Sequence, residues 1–441
     1  MASPVKKGRV NMMCLKKMLA VFVTALVLFL GAQMLSAKEP QTIVFLTWKP
    51  NQPEVWNRLI QQFHQQNPQI RVQVQVGPHS STEYHAVVTQ RLRNKDTSVD
   101  VFFMDVIWPP EFASAGWALN LTSRFSREEQ KAFLPATITA NTYHGNIYGV
   151  PCYLGAGLFY YRTDLLDKYK FAPPRSWTEM LSQGQAIVES ERDPTLRIYS
   201  AQFKQYEGLV CNMLEFIWSR GGGVIDPQSH RVLLNKPASI EAVTFVRDHI
   251  IGKAAPIGAI NYEEPESLEV FIQGRAIYHR NWPYAWAVAN DPEKSRVTGK
   301  IGVGVLPAFE GHSPASTLGG WQFGVSRWSR LPDEAWAFVK FMTSLESQKL
   351  LALDAGLAPT RIGVYEDPRV KEKMPHLKSF LPAFQKARPR PMSPLYPIIS
   401  SELQRFFSQA IAGSQADIPG LAKATSLKIE RTLKMEAAIQ Q

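Results

Sequence analysis

Aromatic side chains occur in this sequence inside short irregular segments, next to glycine, proline and polar residues. Residues 281–286 read Asn-Trp-Pro-Tyr-Ala-Trp, and Trp321 follows a glycine pair at 319–320. Tyr153 comes shortly after Pro151, where a new strand–helix pattern begins. Aromatic faces pack against the C–H-rich faces of pyranose rings, while neighbouring amides, acids and arginines satisfy the hydroxyl groups. Each tryptophan alone is more often a core residue than a ligand contact, but its place in an irregular segment marked by glycine or proline favours a carbohydrate-binding pocket.

The motifs of common enzyme classes are absent from the sequence. It contains no G-x-S-x-G, H-E-x-x-H, P-loop or Rossmann glycine fingerprint. His79 and His85 lack a convincing set of further ligands, so we expect surface histidines, no metal and no cofactor. Two carboxylates on neighbouring strand ends could hydrolyse a glycoside, and Asp105 with Glu111 is the obvious pair. A secreted glycoside hydrolase is therefore the alternative to a binding protein without catalytic residues.

The first 37 residues have the form of an export signal. They contain five basic residues and no acidic one, and residues 18–32 are uncharged. Small residues at 36–37 precede a cleavage point before Lys38. The apolar run is shorter than the roughly 20 residues of a membrane span, although a retained anchor on a structural protein is the alternative. We expect a cleaved signal peptide and a periplasmic or extracytoplasmic location.

Length and charge narrow the class of protein further. The 441 residues are too many for one compact core and suit two domains. Without the five cations of the signal, 44 basic residues face 38 acidic ones, and no block of like charge remains. This scattered charge on an exported chain argues against nucleic-acid binding. Cys152 and Cys211 could form a disulfide or remain two buried thiols.

Hydrophobic patterns predict an α/β fold. Apolar strands at 42–47, 70–76 and 99–104 alternate with helices after Pro53 and at 82–94, which requires a parallel sheet with right-handed crossovers. Ligands of such sheets bind beyond the carboxyl ends of the strands, and Asp105 follows the third strand directly. The other explanation for an acid at position 105 is a cap for the next helix.

A second pattern starts after Pro151. It has a strand at 157–161, a helix with a capping box made by Ser176 and Glu179, and a strand at 301–306. Further helices are predicted at 208–219, 238–250 and 332–344.

At these segments the sequence resembles the trehalose/maltose-binding proteins of ABC importers, within the extracellular solute-binding proteins that include maltose-binding protein. The similarity extends in order over the whole mature chain. The matching stretches are 101–108 (VFFMDVIW), 111–117 (EFASAGW), 149–153 (GVPCY), 157–162 (GLFYYR), 204–211 (KQYEGLVC), 280–286 (RNWPYAW), 317–321 (TLGGW), 376–378 (HLK) and 388–391 (RPRP).

The resemblance implies two α/β lobes, each a mainly parallel sheet flanked by helices, with a sugar cleft at the hinge. Residues 38–149 and 306–358 would form the first lobe, and 150–305 and 359–441 the second. Hinge crossings would fall near 149–151, 304–306 and 358–359. The ligand would be a small glycoside, and a monomer would deliver it by transient docking on the permease subunits of an ABC importer.

The resemblance also assigns sugar contacts by position. Asp105 would accept hydrogen bonds from hydroxyl groups, and Arg390 would donate a paired hydrogen bond. Trp282 and Trp321 would stack on the rings. Tyr153 would line the pocket, and Gly320 would offer backbone contact.

Two positions depart from the family pattern. Close relatives place an acid where this chain has Gln52, which adds a donor at a position of sugar contact. They place another acid after Tyr153, where this chain has Leu154 and Gly155. The segment 77–85 differs as well. The hypothesis that follows is an α-glucoside site whose preference extends to sucrose or a glucosyl-polyol besides trehalose and maltose.

Overall fold

The computed structural model describes residues 39–50 and 52–440. The predicted signal segment at 1–37 lies outside these described residues. Within them, no helix combines the length and the apolar character that crossing a membrane requires. The strands form a seven-stranded, a four-stranded and a two-stranded sheet.

The secondary structure alternates between strands and helices along most of the chain. The strands are β1 Gln41–Thr47, β2 Ile70–Val76, β3 Val101–Asp105, β4 Thr142–Tyr143, β5 Asn146–Ile147, β6 Val150–Ala156, β7 Leu158–Arg162, β8 Arg197–Ser200, β9 Ala276–Asn281, β10 Ile301–Gly304, β11 Ser316–Val325, β12 Ala358–Pro359 and β13 Ala387–Arg388. The helices are α1 Pro53–Gln66, α2 Ser81–Arg93, α3 Pro109–Ser114, α4 Arg127–Gln130, α5 Pro135–Ala140, α6 Thr163–Lys168, α7 Trp177–Glu191, α8 Glu207–Ser219, α9 Pro237–Phe245, α10 Glu264–Ile272, α11 Ala285–Ala289, α12 Pro332–Met342, α13 Leu345–Ala355, α14 Ile362–Glu366, α15 Pro368–Lys373, α16 Leu377–Lys386, α17 Tyr396–Ala412 and α18 Ile418–Gln440.

The seven-stranded sheet begins with the predicted strand–helix–strand units. β1 pairs in parallel with β2 on one side and with β3 on the other, and α1 and α2 connect them. Both faces of β1 and β3 are covered. The ring of Phe45 on β1 lies 5.2 Å from Phe103, 5.5 Å from Phe323 and 5.5 Å from Phe338, centroid to centroid. Burial on both faces explains the continuous apolar runs in the sequence.

The other strands of this sheet run in both directions. β11 is antiparallel to β3 and to β6, and β12 is antiparallel to β6. β6 runs towards the cleft with β3, whereas β11 returns from it. Gly157 alone separates β6 from β7 of the four-stranded sheet. A Cβ atom at Gly157 would lie 1.9 Å from the Glu215 Oε1 atom, so only glycine fits at this crossing.

The four-stranded sheet corrects one expectation. Its order is β10-β7-β9-β8, and only β8 and β9 are parallel. The prediction of a mainly parallel sheet in each lobe is therefore wrong for this sheet, and the larger sheet is mixed. The reason is the chain path, because β7 leaves the cleft whereas β8, β9 and β10 run towards it.

The two-lobed α/β architecture with a cleft is as expected. We call the part built on the seven-stranded sheet the first lobe, and the part built on the four-stranded sheet the second lobe. The exact division of the chain at 149/150, 305/306 and 358/359 stays a prediction. In the structure, strand pairing passes from one sheet to the other at Gly157.

Several local predictions are confirmed, and one is refined. The helices predicted at 208–219 and 332–344 are present as α8 and α12. At the start of α7, the Ser176 hydroxyl accepts the Glu179 N–H at 3.1 Å, but the Glu179 carboxylate accepts the N–H of Arg175 rather than that of Ser176. Cys152 and Cys211 are unbonded thiols, and burial raises the pKa of both.

Candidate functional site

A cleft between the lobes is lined by strands of the seven-stranded sheet, by α8, α10 and the segment after β9 of the second lobe, and by the segment before α17. It contains about 830 Å³ of space free of protein atoms and continuous with solvent. Strands β6, β11 and β12 form its floor, where the chain passes between the lobes. The cleft thus lies where lobe movement would change its width.

Six of the seven residues predicted for the site line this cleft. They are Asp105, Tyr153, Trp282, Gly320, Trp321 and Arg390. Gln52 is not among the lining residues and directly precedes helix α1. Gly155, at the second position that departs from the family pattern, does line the cleft.

Strand register explains why distant parts of the sequence meet here. Trp321 on β11 is paired with Asp105 on β3 and with Tyr153 on β6. The three residues therefore lie side by side at the carboxyl edge of β3. This is the edge at which the sequence predicted Asp105, as the last residue of a buried strand.

Arg390 joins two buried carboxylates that belong to different lobes. Its Nη2 donates to Asp105 Oδ1 at 2.6 Å, and its Nη1 donates to Glu207 Oε1 at 2.9 Å. Asp105 ends β3 of the first lobe, whereas Glu207 starts helix α8. Arg390 Nε is buried and has no hydrogen-bond partner among the described residues. This triad connects the lobes and leaves the Nε–H of the guanidinium without a partner in the described chain.

The carboxylate of Asp105 is only partly engaged. Its Oδ1 accepts from Arg390 and from the Ile107 N–H at 3.3 Å, and no hydrogen bond to Oδ2 is present within residues 39–50 and 52–440. Burial raises the pKa of Asp105, and the Arg390 charge acts in the opposite direction. Its Oδ2 atom can accept a hydrogen bond from a ligand.

Glu207 is a site residue that sequence reasoning missed. Besides Arg390, its carboxylate accepts hydrogen bonds from the hydroxyl groups of Tyr396, at 2.6 Å, and Ser400. Its backbone N–H donates to Thr82 Oγ1 at 3.0 Å, a second direct contact between the lobes. An acid in the first turn of a helix has an ordinary explanation in the helix dipole, so its position gave no signal.

Trp282 forms an aromatic wall on the second-lobe side of the cleft. The guanidinium carbon of Arg280 lies 4.1 Å from the centroid of its ring. Arg280 in turn donates to Glu215 through Nε at 2.8 Å and Nη2 at 2.6 Å, and to Gln202 Oε1 through Nη1 at 3.2 Å. This stacked, bidentate arrangement holds the indole face in a fixed orientation.

A chain of hydrogen bonds fixes the backbone of Trp282. Its N–H donates to Asn281 Oδ1 at 2.8 Å, so the Asn281 amide turns its NH₂ towards His279 Nε2 at 3.0 Å. His279 Nε2 must then be the acceptor, and Nδ1–H donates to the Ser200 carbonyl at 3.0 Å. Burial lowers the pKa of His279 to about 3, which agrees with a neutral ring.

Trp321 forms the opposite wall together with Trp48, which the sequence did not single out. The two ring centroids are 5.5 Å apart. Trp108 supports Trp321 from behind, edge-on at 5.6 Å. Both cleft-lining indoles are partly exposed, so they present apolar surface to a ligand.

Gly320 is required by its backbone. Its φ is +136°, and a Cβ atom would lie 2.6 Å from the Tyr153 carbonyl oxygen. Any other residue would meet both a disfavoured conformation and a clash. The close approach of β6 and β11 exposes peptide groups at the floor of the cleft.

Acidic and histidine side chains gather at one side of the cleft. Glu264 accepts the Trp282 indole N–H at 3.0 Å and the Tyr206 hydroxyl at 2.7 Å. His79, Glu263 and Glu264 offer potential metal-ligand atoms within 4.8 Å of one another, the only such group found in the described part of the chain. Because Glu264 and Glu263 already bind protein donors, a cation would have to displace them. That the protein uses no metal stays a prediction.

The carboxylate pair nominated for hydrolysis is not assembled in the cleft. Glu111 does not line it, and its Oε2 lies 2.6 Å from His85 Nε2 within the first lobe. Asp105 instead faces Glu207 across Arg390.

Comparisons with known proteins agree with this architecture. Residues 49–349 match the family model of the bacterial extracellular solute-binding proteins. A probable ABC transporter-binding protein of Deinococcus radiodurans is 39% identical over 317 residues, which cover 71% of this chain and 74% of the relative.

Two further similarities involve proteins with named sugars. A maltose-bound structure of T. maritima MalE3 is 36% identical, has a TM-score of 0.84, and is matched over 89% of this chain and 99% of that chain. The maltotriose-binding protein of Pyrococcus abyssi is 22% identical over 389 residues, 87% of this chain and 80% of the relative. By its family match and its close relatives, this chain belongs to the bacterial extracellular solute-binding protein family.

Proposed function

We propose that this protein is the extracytoplasmic sugar-binding component of an ABC importer. It takes a small α-glucoside or disaccharide of the maltose, trehalose, sucrose or glucosyl-polyol type into the interlobe cleft and delivers it, as a monomer, to the permease subunits. The observation that carries the proposal is the presence of indole faces, carboxylates and a guanidinium in one interlobe cleft. The names of the relatives, among them a maltose-bound and a maltotriose-binding protein, support the choice of sugar.

The aromatic and the hydrogen-bonding groups of the proposed site have distinct roles. The faces of Trp282 and Trp321 pack against pyranose rings, which exclude water from the C–H surface. Asp105 Oδ2 and Arg390 Nε, which have no partner in the described chain, bind hydroxyl groups. Tyr153 and the peptide groups at Gly320 complete the floor. Gln52 has no part in this proposal because it does not line the cleft.

Binding would be coupled to lobe closure. Asp105 and Trp321 belong to the first lobe and Trp282 to the second, so one ligand touches both. Such a ligand binds the closed arrangement better than an open one and shifts the population towards it. Micromolar affinity corresponds to roughly −8 kcal/mol, which a few buried hydrogen bonds and two stacked rings can supply.

The same arrangement disfavours hydrolysis. General acid–base cleavage needs a carboxylic acid and a carboxylate free to act on the glycosidic bond. Asp105 and Glu207 instead share one guanidinium, and Glu207 also accepts two hydroxyl groups. We therefore propose binding without turnover.

A thermal-shift screen of a sugar panel on the chain from Lys38 onward tests the proposal. Ligands stabilise in proportion to the logarithm of concentration over Kd, so modest binders register. Titration calorimetry with the best sugar should then show binding that weakens at least tenfold in Trp282→Ala and in Trp321→Ala. Trp328→Ala is the matched control, because Trp328 does not line the cleft.

Two results would contradict the proposal. If no sugar of the panel shifts the melting temperature, the chain does not bind sugars of this class. If the sugar is cleaved, and Asp105→Asn binds it without cleaving it, the protein is a hydrolase. Binding of trehalose alone would reject the broader preference suggested by Gly155.

A further inference from the structure

His79 reaches across the cleft from the first lobe to the second. It lies between β2 and α2 and lines the cleft. Its Nδ1 is 3.9 Å from Glu263 Oε2 at the start of α10, a distance in the range of an ion pair and longer than a hydrogen bond. Both ring nitrogens are buried and have no hydrogen-bond partner among the described residues. The ring packs edge-on against Trp48, with centroids 5.7 Å apart.

The groups around His79 are mostly acidic. Glu263, Glu264 and Glu266, all at the start of α10, act on the ring, whereas Trp48 on the other side is uncharged. Lys204 is a cation on this side of the cleft, and its Nζ lies 2.6 Å from Glu263 Oε1. Burial by itself lowers the pKa of His79, but the carboxylates outweigh it and raise this pKa above the usual 6.5.

A second histidine–glutamate pair provides a contrast. His85 Nε2 lies 2.6 Å from Glu111 Oε2, and both residues belong to the first lobe, on α2 and α3. Neither residue lines the cleft. Separation of the lobes would therefore leave this pair intact, whereas it would remove Glu263 from His79.

We propose that His79 is a sugar-site residue that, as an imidazolium, draws Glu263 across the cleft and donates its other N–H to a ligand hydroxyl. Sugar binding is then coupled to uptake of a proton. This inference rests on the proposed function and adds a contact from the segment 77–85.

The sign of the pH effect follows from the linkage between protonation and closure. With the lobes apart, His79 is away from the three carboxylates and has an ordinary pKa near 6.5. In the closed arrangement this pKa is raised. The added affinity is fully present below pH 6.5 and is lost as the pH rises through the higher value.

Calorimetry between pH 5.5 and pH 8.5 tests the inference, with maltose or with the tightest-binding sugar of the panel. We expect affinity at pH 6 to exceed affinity at pH 8 by at least threefold, given that one pKa unit corresponds to about tenfold. Titrations near pH 7 in buffers of different ionisation enthalpy should show proton uptake. His79→Asn should flatten the pH profile and abolish the uptake, and Glu263→Gln should reduce both. His85→Asn should retain the wild-type profile.

The possible failures are distinguishable. If sugar binds with a flat pH profile, or if His79→Asn keeps the wild-type slope, the role of His79 is wrong and the proposed function stands. If binding requires added Zn²⁺ and EDTA abolishes it, His79, Glu263 and Glu264 form a metal site instead, and the proton-linked role is wrong. If no sugar of the panel binds at any pH, both proposals fail.

Discussion

Two buried arginines near the cleft differ in the lobes from which their hydrogen-bond partners come. Arg280 takes all its partners from the second lobe, has hydrogen bonds on all three nitrogens and stacks on Trp282. Arg390 bridges Asp105 of the first lobe and Glu207 at the start of α8, and its Nε has no partner in the described chain.

The difference separates two functions that one residue type can perform. A guanidinium satisfied within one lobe keeps a ligand-facing ring in place whatever the lobes do. A guanidinium shared between lobes changes its surroundings when they move, so its energy depends on closure. We therefore expect changes around Arg280 to affect stability first, and changes at Arg390 to affect binding first.

The largest effect is expected for Glu215→Ala. This change leaves the fully buried Arg280 without its bidentate partner, which should reduce the free energy of unfolding by about 3–5 kcal/mol. Urea denaturation provides the measurement. Glu241→Ala is the control, because its ion pair with Arg220 is solvent-exposed and should contribute about 1 kcal/mol or less. A loss below about 1 kcal/mol in Glu215→Ala would reject the role of this ion pair in fixing Arg280 beneath Trp282.

Arg390→Met should weaken sugar binding by about 2–3 kcal/mol, since Asp105 and Glu207 would face each other without a shared cation. Its effect on unfolding should be smaller than that of Glu215→Ala, because lobe opening gives both carboxylates access to water. Calorimetry and urea denaturation of the same variant separate the two effects. Arg388→Met, at an exposed position in the same segment, should leave affinity unchanged. Equal affinity in both variants would remove the distinction between the two arginines.

Lowering the pH should reduce the stability of the region around Arg280, through the neighbouring His279. The pKa of His279 is about 3 in the folded protein, lowered by burial from 6.5. The neutral ring therefore contributes stability above pH 6.5, and this contribution is lost as the pH falls towards 3. Between pH 7 and pH 5 the loss is about 2 kcal/mol. His279→Gln should lose correspondingly less stability over this interval in urea denaturation, and an identical pH dependence would contradict a neutral His279.

The smallest effect is expected for Trp282→Phe. Phenylalanine keeps an aromatic face for the sugar but loses the hydrogen bond from the indole to Glu264, which should reduce affinity by about 1 kcal/mol. Trp286→Phe in the same segment is the matched control, because Trp286 stacks on His376 and does not line the cleft. If calorimetry shows that Trp282→Phe lowers the affinity for the sugar by more than tenfold, Glu264 holds the ring more strongly than Arg280 does.

Much of the site could be predicted from the sequence because its residues occupy unusual positions. Asp105 ends a buried strand, and Trp321 follows a glycine pair. Each position has one other explanation, a helix cap for Asp105 and a core position for Trp321, and the structure places both residues in the cleft lining. Whole-chain resemblance extended the prediction to Arg390, which no periodicity could connect with Asp105 across 285 positions.

The remaining site residues have ordinary explanations in sequence. Glu207 and Glu264 are acids in the first turn of a helix, where they are favourable in any protein. His79 is a single histidine in a connection, and only the meeting of the lobes brings it near Glu263. The mainly parallel sheet that the resemblance implied for the second lobe is wrong, and the apolar runs could not correct it because they report burial and not the direction of pairing.

The two unbonded thiols have a consequence for how this protein can be handled and exported. Cys152 and Cys211 are 1% and 2% exposed, and no disulfide is formed within the described residues. Their burial keeps both sulfurs protonated and slow to react. This region is therefore held together without a disulfide, and oxidants in solution have little access to either sulfur.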